Sequence, residues 1–322
     1  MSPTTALSWS RRLLLVAGLA ASMWAHAGAP QQKTQVPGWY RTMLGDFEVT
    51  ALYDGYIDLD PKQLLKGTRP GEIDRALRQA MLPGPKVQTS VNAYLVNTGQ
   101  QLILVDAGTA KVFGPTLGHL LDNLRASGYQ PEQVDLVLIT HLHGDHANGL
   151  LTPDGKIAFP NAKVMVAGPE AGFWLDEGHK AKAPKDMHGF FDMAKAAAAP
   201  YQASGQWTVF QPGAQIAPGV TALPTGHTPG HSSYVFESRG EKLIVLGDVI
   251  HFGIVQFARP EIAIAFDTDN AAAVASRKKL FAQAAKDKTL LAGAHLSFPG
   301  LGRIRAEGRG YVWVPVGFSP IR

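Results

Sequence analysis

The chain has 322 residues, 45% hydrophobic and 17% charged, with no cysteine and a formal charge of +4 at pH 7. This composition predicts a water-soluble globular protein with a sizeable core and excludes disulfides, thiolate zinc sites and cysteine nucleophiles. The small charge, spread along the chain, gives no basis for nucleic-acid binding.

Arg11-Arg12 precedes an apolar run, Leu13 to Trp24, that is too short to span a bilayer, and Ala25-His26-Ala27 offers a small-x-small cleavage pattern. Residues 1–27 are therefore predicted to be a signal peptide that directs the chain to the periplasm or the medium. Ser10-Arg11-Arg12-Leu13-Leu14 is compatible with either the general secretory or the twin-arginine route. Loss of Arg11 and Arg12 with the leader lowers the charge from +4 to +2, and no later apolar run reaches membrane-spanning length. Residues 28–36 read as a flexible polar leader, and 37–322 as one domain without an internal sequence repeat.

Phe47 to Tyr53 alternates as a strand ending at an Asp54-Gly55 turn. Residues 56–88, richer in charge, predict a lobe near a pocket mouth with helical spacing around Ile73 to Met81. Val91–Val96 and Leu102–Val105 predict a hairpin, and Pro115 starts a helix that stops at Gly128. Lys163–Val166 reads as a strand and Pro169–Asp176 as a helix. Residues 178–205 read as an insertion whose helix, Phe190–Ala199, lies over the site. Further strands cover 220–223, 242–246 and 290–292. A last helix, Asn270–Ala285, puts Arg277-Lys278-Lys279 on its solvent face.

The chemistry-bearing segments sit at the ends of these strands. Thr140-His141-Leu142-His143-Gly144-Asp145-His146 follows the apolar run Val134–Ile139. Thr225-Gly226-His227-Thr228-Pro229-Gly230-His231, Gly247-Asp248 and Gly293-Ala294-His295 each follow another strand. Imidazole nitrogens and carboxylate oxygens are the donors that zinc and similar divalent cations prefer. Five of these six histidines, with the two aspartates, suit two cations sharing one carboxylate. Two such cations would acidify a water to hydroxide near neutral pH and polarise a substrate oxygen. There is no Gly-x-Ser-x-Gly nucleophile elbow.

This pattern resembles the metallo-β-lactamase superfamily. The resemblance implies an αβ/βα four-layer sandwich with a dinuclear metal site at one rim. Carried over by position, His141, His143 and His231 would hold one cation, and Asp145, His146 and His295 the other. Asp248 would bridge them, or accept a proton in the transition state, so Asp248 and Asp145 are the catalytic candidates. Asp106, Thr140 and His227 would lie behind the ligands, with His227 structural. Zinc is the expected metal, cobalt or manganese the alternatives.

Longer stretches resemble the subfamily of methyl parathion hydrolase and its lactone-opening relatives. They include Pro37-Gly38-Trp39-Tyr40, Leu44 to Glu48, Val112 to Gly118, Gly128 to Asp135, Ala294 to Gly300 and Ile304 to Gly308. The resemblance implies an aromatic pocket from Phe113, Trp174 and Phe191. His251, Ile264 and Phe266 depart from the phosphotriesterase pattern toward a bulkier wall, and His251 either orients a carbonyl or is a satisfied pocket-edge residue. The expected substrate is a small neutral hydrophobic lactone or aryl ester, with incidental phosphotriester turnover. The alternatives are a dedicated organophosphate hydrolase and an iron-dependent redox enzyme of the same fold. Relatives suggest a homodimer.

Overall fold

A computed structural model describes residues 29–82 and 84–321; the expected signal peptide, 1–27, lies outside the described residues. The chain divides into two units, one ending at Pro37 and one beginning at Gly38. In the first, residues 29–37 are exposed and carry no helix or strand.

The second unit opens with strands β1 (Trp39–Leu44) and β2 (Phe47–Leu59), helix α1 (Pro61–Leu64), the short strand β3 (Leu65–Lys66) and helix α2 (Glu72–Gln79). Strands β4 (Val87–Asn97), β5 (Leu102–Val105), β6 (Leu136–Leu138), β7 (Lys163–Ala167) and β8 (Trp207–Phe210) complete a seven-stranded sheet ordered β1-β2-β4-β5-β6-β7-β8. Between those strands run helices α3 (Leu120–Ala126), α4 (Gly144–Ala147), α5 (Gly168–Trp174), α6 (Glu177–Lys182) and α7 (His188–Ala203). A second seven-stranded sheet is built from β9 (Gln215–Ala217), β10 (Val220–Pro224), β11 (Ser232–Ser238), β12 (Glu241–Val245), β14 (Leu290–Ala292), β15 (Leu301–Glu307) and β16 (Gly310–Pro315). Helices α8 (Gly253–Gln256) and α9 (Asn270–Asp287) join its strands, and β13 (Ala263–Ile264) pairs with β3.

Alternation along the strands builds the layers. On β4, Tyr94 and Val96 enter the core between the sheets, whereas Ala93 and Leu95 face the helices. On β5, Ile103 and Val105 likewise point to the other sheet, and Leu102 and Leu104 to the helices. Strands apolar on both faces must be covered on both, since side chains alternate with a period of two. Helices α3, α5 and α7 cover the first sheet with Leu120, Leu124, Trp174, Phe191 and Tyr201, and α9 covers the second with Leu280, Phe281 and Ala284. The result is a helix–sheet–sheet–helix sandwich. A smaller apolar cluster (Leu65, Ile73 and Leu77 with Phe252, Val255, Ile262 and Ile264) joins the 56–88 lobe to α8 and β13.

Register places the site. Val105, Leu138 and Met165 stand level in the first sheet, and Val245 is level with Ala292 in the second. The loops leaving these strand ends therefore emerge at one rim, where open α/β sheets bind ligands. Across the rim, Tyr234 donates its hydroxyl to the Ile139 carbonyl at 2.8 Å, and the Ser232 N–H donates to the Thr140 carbonyl at 2.9 Å.

Three local expectations are corrected. Strand β2 does not turn at Asp54-Gly55; it passes through a register shift between Tyr53 and Gly55 and continues to Leu59. There the Asp54 carboxylate, 1% exposed, accepts bonds from Thr109 N–H (3.1 Å), the Thr109 hydroxyl (2.6 Å), Gly118 N–H (3.2 Å) and Leu120 N–H (3.1 Å). The helix expected from Pro115 therefore begins only at Leu120, because Asp54 holds the preceding N–H groups and Gly118 takes φ +85°. Arg277 is fully buried rather than solvent-facing, donating to the carbonyls of Val249 (2.5 Å), Pro260 (3.2 Å) and Ile262 (2.7 Å).

Replacing Asp54 by alanine would strand several N–H groups in the interior. A loss of roughly 3 kcal/mol of unfolding free energy is expected, measured by urea denaturation. A change within about 0.5 kcal/mol would show that the 109–120 segment is held by something else.

Candidate metal centre

The loop after β6 carries His141 and His143 and runs into α4, which presents Asp145 and His146 one turn on. His227 leaves the end of β10, Asp248 follows β12, and His295 follows β14. Donor atoms of His141, His143, His227 and Asp248 lie within 4.8 Å of one another; so do those of Asp145, His146 and His295, and those of Asp248, His251 and His295. Asp248 joins the groups. Its Oδ2 lies 3.4 Å from His141 Nε2 and 3.4 Å from His227 Nε2, while Oδ1 lies 3.0 Å from the Nε2 atoms of both His146 and His295. Asp145 Oδ2 closes the second group at 3.5 Å from His146 and 3.4 Å from His295.

Six of the seven ligand candidates from the sequence are brought together; His231 is the exception. Its Nε2 accepts the Asp248 N–H at 2.9 Å, and its Nδ1 pairs with the Thr225 hydroxyl. Both ring nitrogens are thus occupied by the chain itself. Gly247 permits this approach: it adopts φ +56°, and a Cβ there would lie 2.6 Å from His231 Nε2. His227, expected to be structural, instead turns its Nε2 into the cluster, while its Nδ1 lies 2.8 Å from Asp267 Oδ1.

The groups behind the cluster set ring orientation, as supports of metal ligands do. Asp106 Oδ2 meets His146 Nδ1 at 2.8 Å and accepts the Thr140 hydroxyl at 2.9 Å. Asp106 holds the left-handed φ of +61°, a strained conformation for a non-glycine residue. The Ser90 carbonyl accepts from His295 Nδ1 at 2.9 Å, and Thr140 Oγ1 lies 3.1 Å from His141 Nδ1. Of these supports the sequence reading had Asp106 and Thr140 but missed Asp267 and Ser90. No spacing marks those two, since Asp267 lies in a loop and Ser90 acts through its backbone carbonyl.

The donor set fits divalent cations. His141 Nε2, His146 Nε2 and Asp248 Oδ1 are buried without a hydrogen-bond partner, the condition that polar interiors avoid unless something else satisfies them. Burial and neighbouring imidazoles hold His141 well below its ordinary pKa, and burial with the charge of adjacent rings holds His143 and His227 at about 3, outweighing the nearby carboxylates. Those three rings are neutral with free lone pairs, the form a cation requires. At His146 and His295, by contrast, burial is outweighed by the adjacent carboxylates, which raise both, so a cation there displaces protons. Burial opposes ionisation of Asp145 and Asp248, but the surrounding imidazoles outweigh it and keep both carboxyls far below their usual range.

Above the cluster is a cavity of about 150 Å³ whose apolar wall includes Ile57, Val91, Phe113, Leu117, Phe190 and Phe266. Asp145, Asp248, His251 and His295 form its polar floor. Phe113, His251 and Phe266 thus stand where the sequence reading put them. Trp174 does not: it is fully buried beneath His143, with ring centroids 5.2 Å apart. Phe191 packs on Trp174 at 4.7 Å and borders only an outer groove, so its neighbour Phe190 supplies the aromatic wall. Ile264 is also corrected, since it lies in the apolar cluster under the rim. His251 Nε2 reaches Asp248 Oδ2 at 3.0 Å, and its ring stacks on His295 at 4.9 Å. The Gln256 side chain accepts the N–H groups of His251 (3.0 Å) and Phe252 (2.9 Å), pinning this turn.

A family model for the metallo-beta-lactamase superfamily matches residues 87–295, a span containing every residue of this cluster. The chain belongs to the metallo-beta-lactamase superfamily. The crystal structure of AbOPH, a hydrolase in the beta lactamase superfamily, is 44% identical with a TM-score of 0.85, covering 89% of this chain and 100% of that one. AidC, a dizinc quorum-quenching lactonase solved with a product, is 26% identical with a TM-score of 0.80, covering 88% and 99%. N-acyl homoserine lactonase of Bacillus cereus is 25% identical over 246 residues, 69% of this chain and 88% of the relative. As a superfamily member with these lactonase relatives, the protein is a metal-dependent hydrolase.

Two single substitutions separate the two histidines of the 225–231 loop. His227→Ala should lower the metal stoichiometry, because a donor goes. His231→Ala should keep the stoichiometry and weaken affinity, by roughly 10–100-fold, because it releases the Asp248 peptide and the Thr225 hydroxyl but removes no donor. Elemental analysis after gel filtration reads both; the reverse ranking would return the ligand role to His231.

Proposed function

We propose that this protein hydrolyses small neutral lactones and aryl esters with two divalent cations, zinc first. The observation that carries the reading is the cavity of about 150 Å³, apolar on its walls and polar only at the cluster floor. Such a pocket selects uncharged, largely hydrophobic substrates and orients them by a few polar groups. The lactonase relatives support the same reaction class.

His141, His143 and His227 would hold one cation, and Asp145, His146 and His295 the other, with Asp248 giving one oxygen to each. When bound, such cations supply a nucleophile at neutral pH and stabilise charge on the substrate oxygen. The chain's own residues do the rest. Phe113, Phe190 and Phe266 exclude water and grip a flat ring. Asp248 Oδ2 and His251 Nε2, 3.0 Å apart, form a hydrogen-bonded pair that can hold a proton beside the reacting carbon. Asp145, with 28% of its side chain exposed, is the carboxylate most open to the cavity.

His251 and Phe266 also narrow the space above Asp248, which favours a planar carbonyl over the tetrahedral centre of a phosphotriester. The resemblance to the methyl parathion hydrolase subfamily still supports phosphotriester turnover as a side activity. Residues 1–27 are proposed to be a cleaved export leader. Mass spectrometry of the protein recovered from periplasm or medium should show a mature start near Gly28, and an intact Met1 terminus in an exported sample would oppose cleavage.

Metal-reconstituted protein should be assayed on dihydrocoumarin, a hexanoyl homoserine lactone, p-nitrophenyl acetate and methyl paraoxon. The expected order puts a lactone or aryl ester above the phosphotriester in kcat/KM by about 10-fold or more. Chelation should abolish all activity, and zinc, cobalt or manganese should restore it. Preference for methyl paraoxon would reverse the assignment.

A further inference from the structure

Helix α5 carries a carboxylate that no part of the reaction above uses. Glu170 is 0% exposed. Its Oε1 accepts the Leu142 N–H at 3.0 Å, while Oε2 accepts the Thr228 hydroxyl at 2.7 Å and the Gly230 N–H at 2.9 Å. Leu142 lies between His141 and His143, and Thr228 follows His227. One side chain therefore grips both loops that present the donors of the first cation site, although these loops belong to different sheets. The contact is tight, since a Cβ on Gly230 would lie 2.1 Å from the Glu170 nitrogen. One turn further along α5, Trp174 packs edge-on against the ring of His143 at 5.2 Å.

A buried carboxyl is costly unless its oxygens are satisfied, and an apolar residue would fill the same space more cheaply. The Glu170 carboxylate accepts three hydrogen bonds from the two loops. Those bonds fix where the loops stand relative to each other, and hence the separation of His141 and His143 from His227.

We propose that Glu170 is a positioning residue of the metal centre, a clamp that sets the spacing of His141, His143 and His227 and so the affinity and geometry of the first cation site. This inference rests on the two-cation reading of the cluster.

Glu170→Gln tests the bonds while keeping the shape. A carboxamide has one acceptor oxygen, so its NH2 must face either the Leu142 N–H or the Gly230 N–H, and one loop is released by the clash of donors. With cobalt as the probe, chelator competition should show one site weakened roughly 10–100-fold, as for other supports behind metal ligands. The visible bands of the cobalt protein should shift, and the second site should keep its affinity. Thr228→Val is the milder partner: it removes one donor, keeps the carboxylate and should weaken the same site several-fold. That variant decides the matter if the glutamine protein does not fold. Unchanged cobalt bands and unchanged chelator resistance in the folded variant would overturn the clamp. Failure of the wild-type protein to bind cobalt would sink the two-cation reading, and the clamp with it.

Discussion

The organisation of the rim depends on one carboxylate facing two ways. Asp248 turns Oδ1 to His146 and His295 and Oδ2 to His141 and His227, at 3.0 to 3.4 Å. Two acids and five imidazoles gathered in this way, most of them out of water, are unfavourable by themselves: desolvation is expensive, and several lone pairs are left without donors. Cations reverse that balance. The cluster is therefore a region where folding and metal uptake are coupled, with the site's cost met by the ions it holds.

Holding such a cluster against its own repulsion requires restraint from every side, and the fold supplies it by position. Strand ends level in register bring the loops to one edge, and bonds across the sheets fix them there. Tyr234 reaches Ile139, and Asn92 holds the loop of His295 through the carbonyls of Gly293 (3.0 Å) and Leu296 (2.7 Å). On the far side, buried Arg277 and Gln256 brace the turn that carries His251. Each restraint is a buried polar side chain spent on backbone groups, which makes the scaffold rigid where the ligands sit.

Legibility followed the spacing of the residues. Three histidines and an aspartate within six positions at a strand end declare themselves, and the strands around them read correctly because their apolar runs fill both faces. The 225–231 loop did not declare itself, because His227 and His231 are equivalent by type and separated by Pro229-Gly230, where no helical or strand period assigns a direction. Only Thr225 and the Asp248 peptide, meeting His231 from both sides, settle which ring is free. Phe190 and Phe191 were confused for a related reason: adjacent residues on a helix point about 100° apart, and the alanine-rich remainder of α7 gives little phase. Glu170 and Asp267 stayed hidden because a lone charged residue on a helix or loop reads as solvent-facing until packing shows otherwise, and Arg277 because its run with Lys278 and Lys279 reads as a solvated face.

The same packing argues for the kind of substrate. Apart from the lone pairs left for cations, the cavity presents few polar groups, so on the proposed reading a substrate would gain little from extra hydrogen-bonding groups and would lose their hydration on entry. The walls offer aromatic faces from Phe113, Phe190 and Phe266 instead. On the proposed reading, a ring lying flat between them would replace water at little polar cost, with its carbonyl toward the floor of Asp145, Asp248, His251 and His295. On the lactone and aryl-ester proposal, selectivity would come from the apolar walls, which offer charged groups no partner, with His251 and Phe266 beside Asp248 crowding a bulky tetrahedral centre.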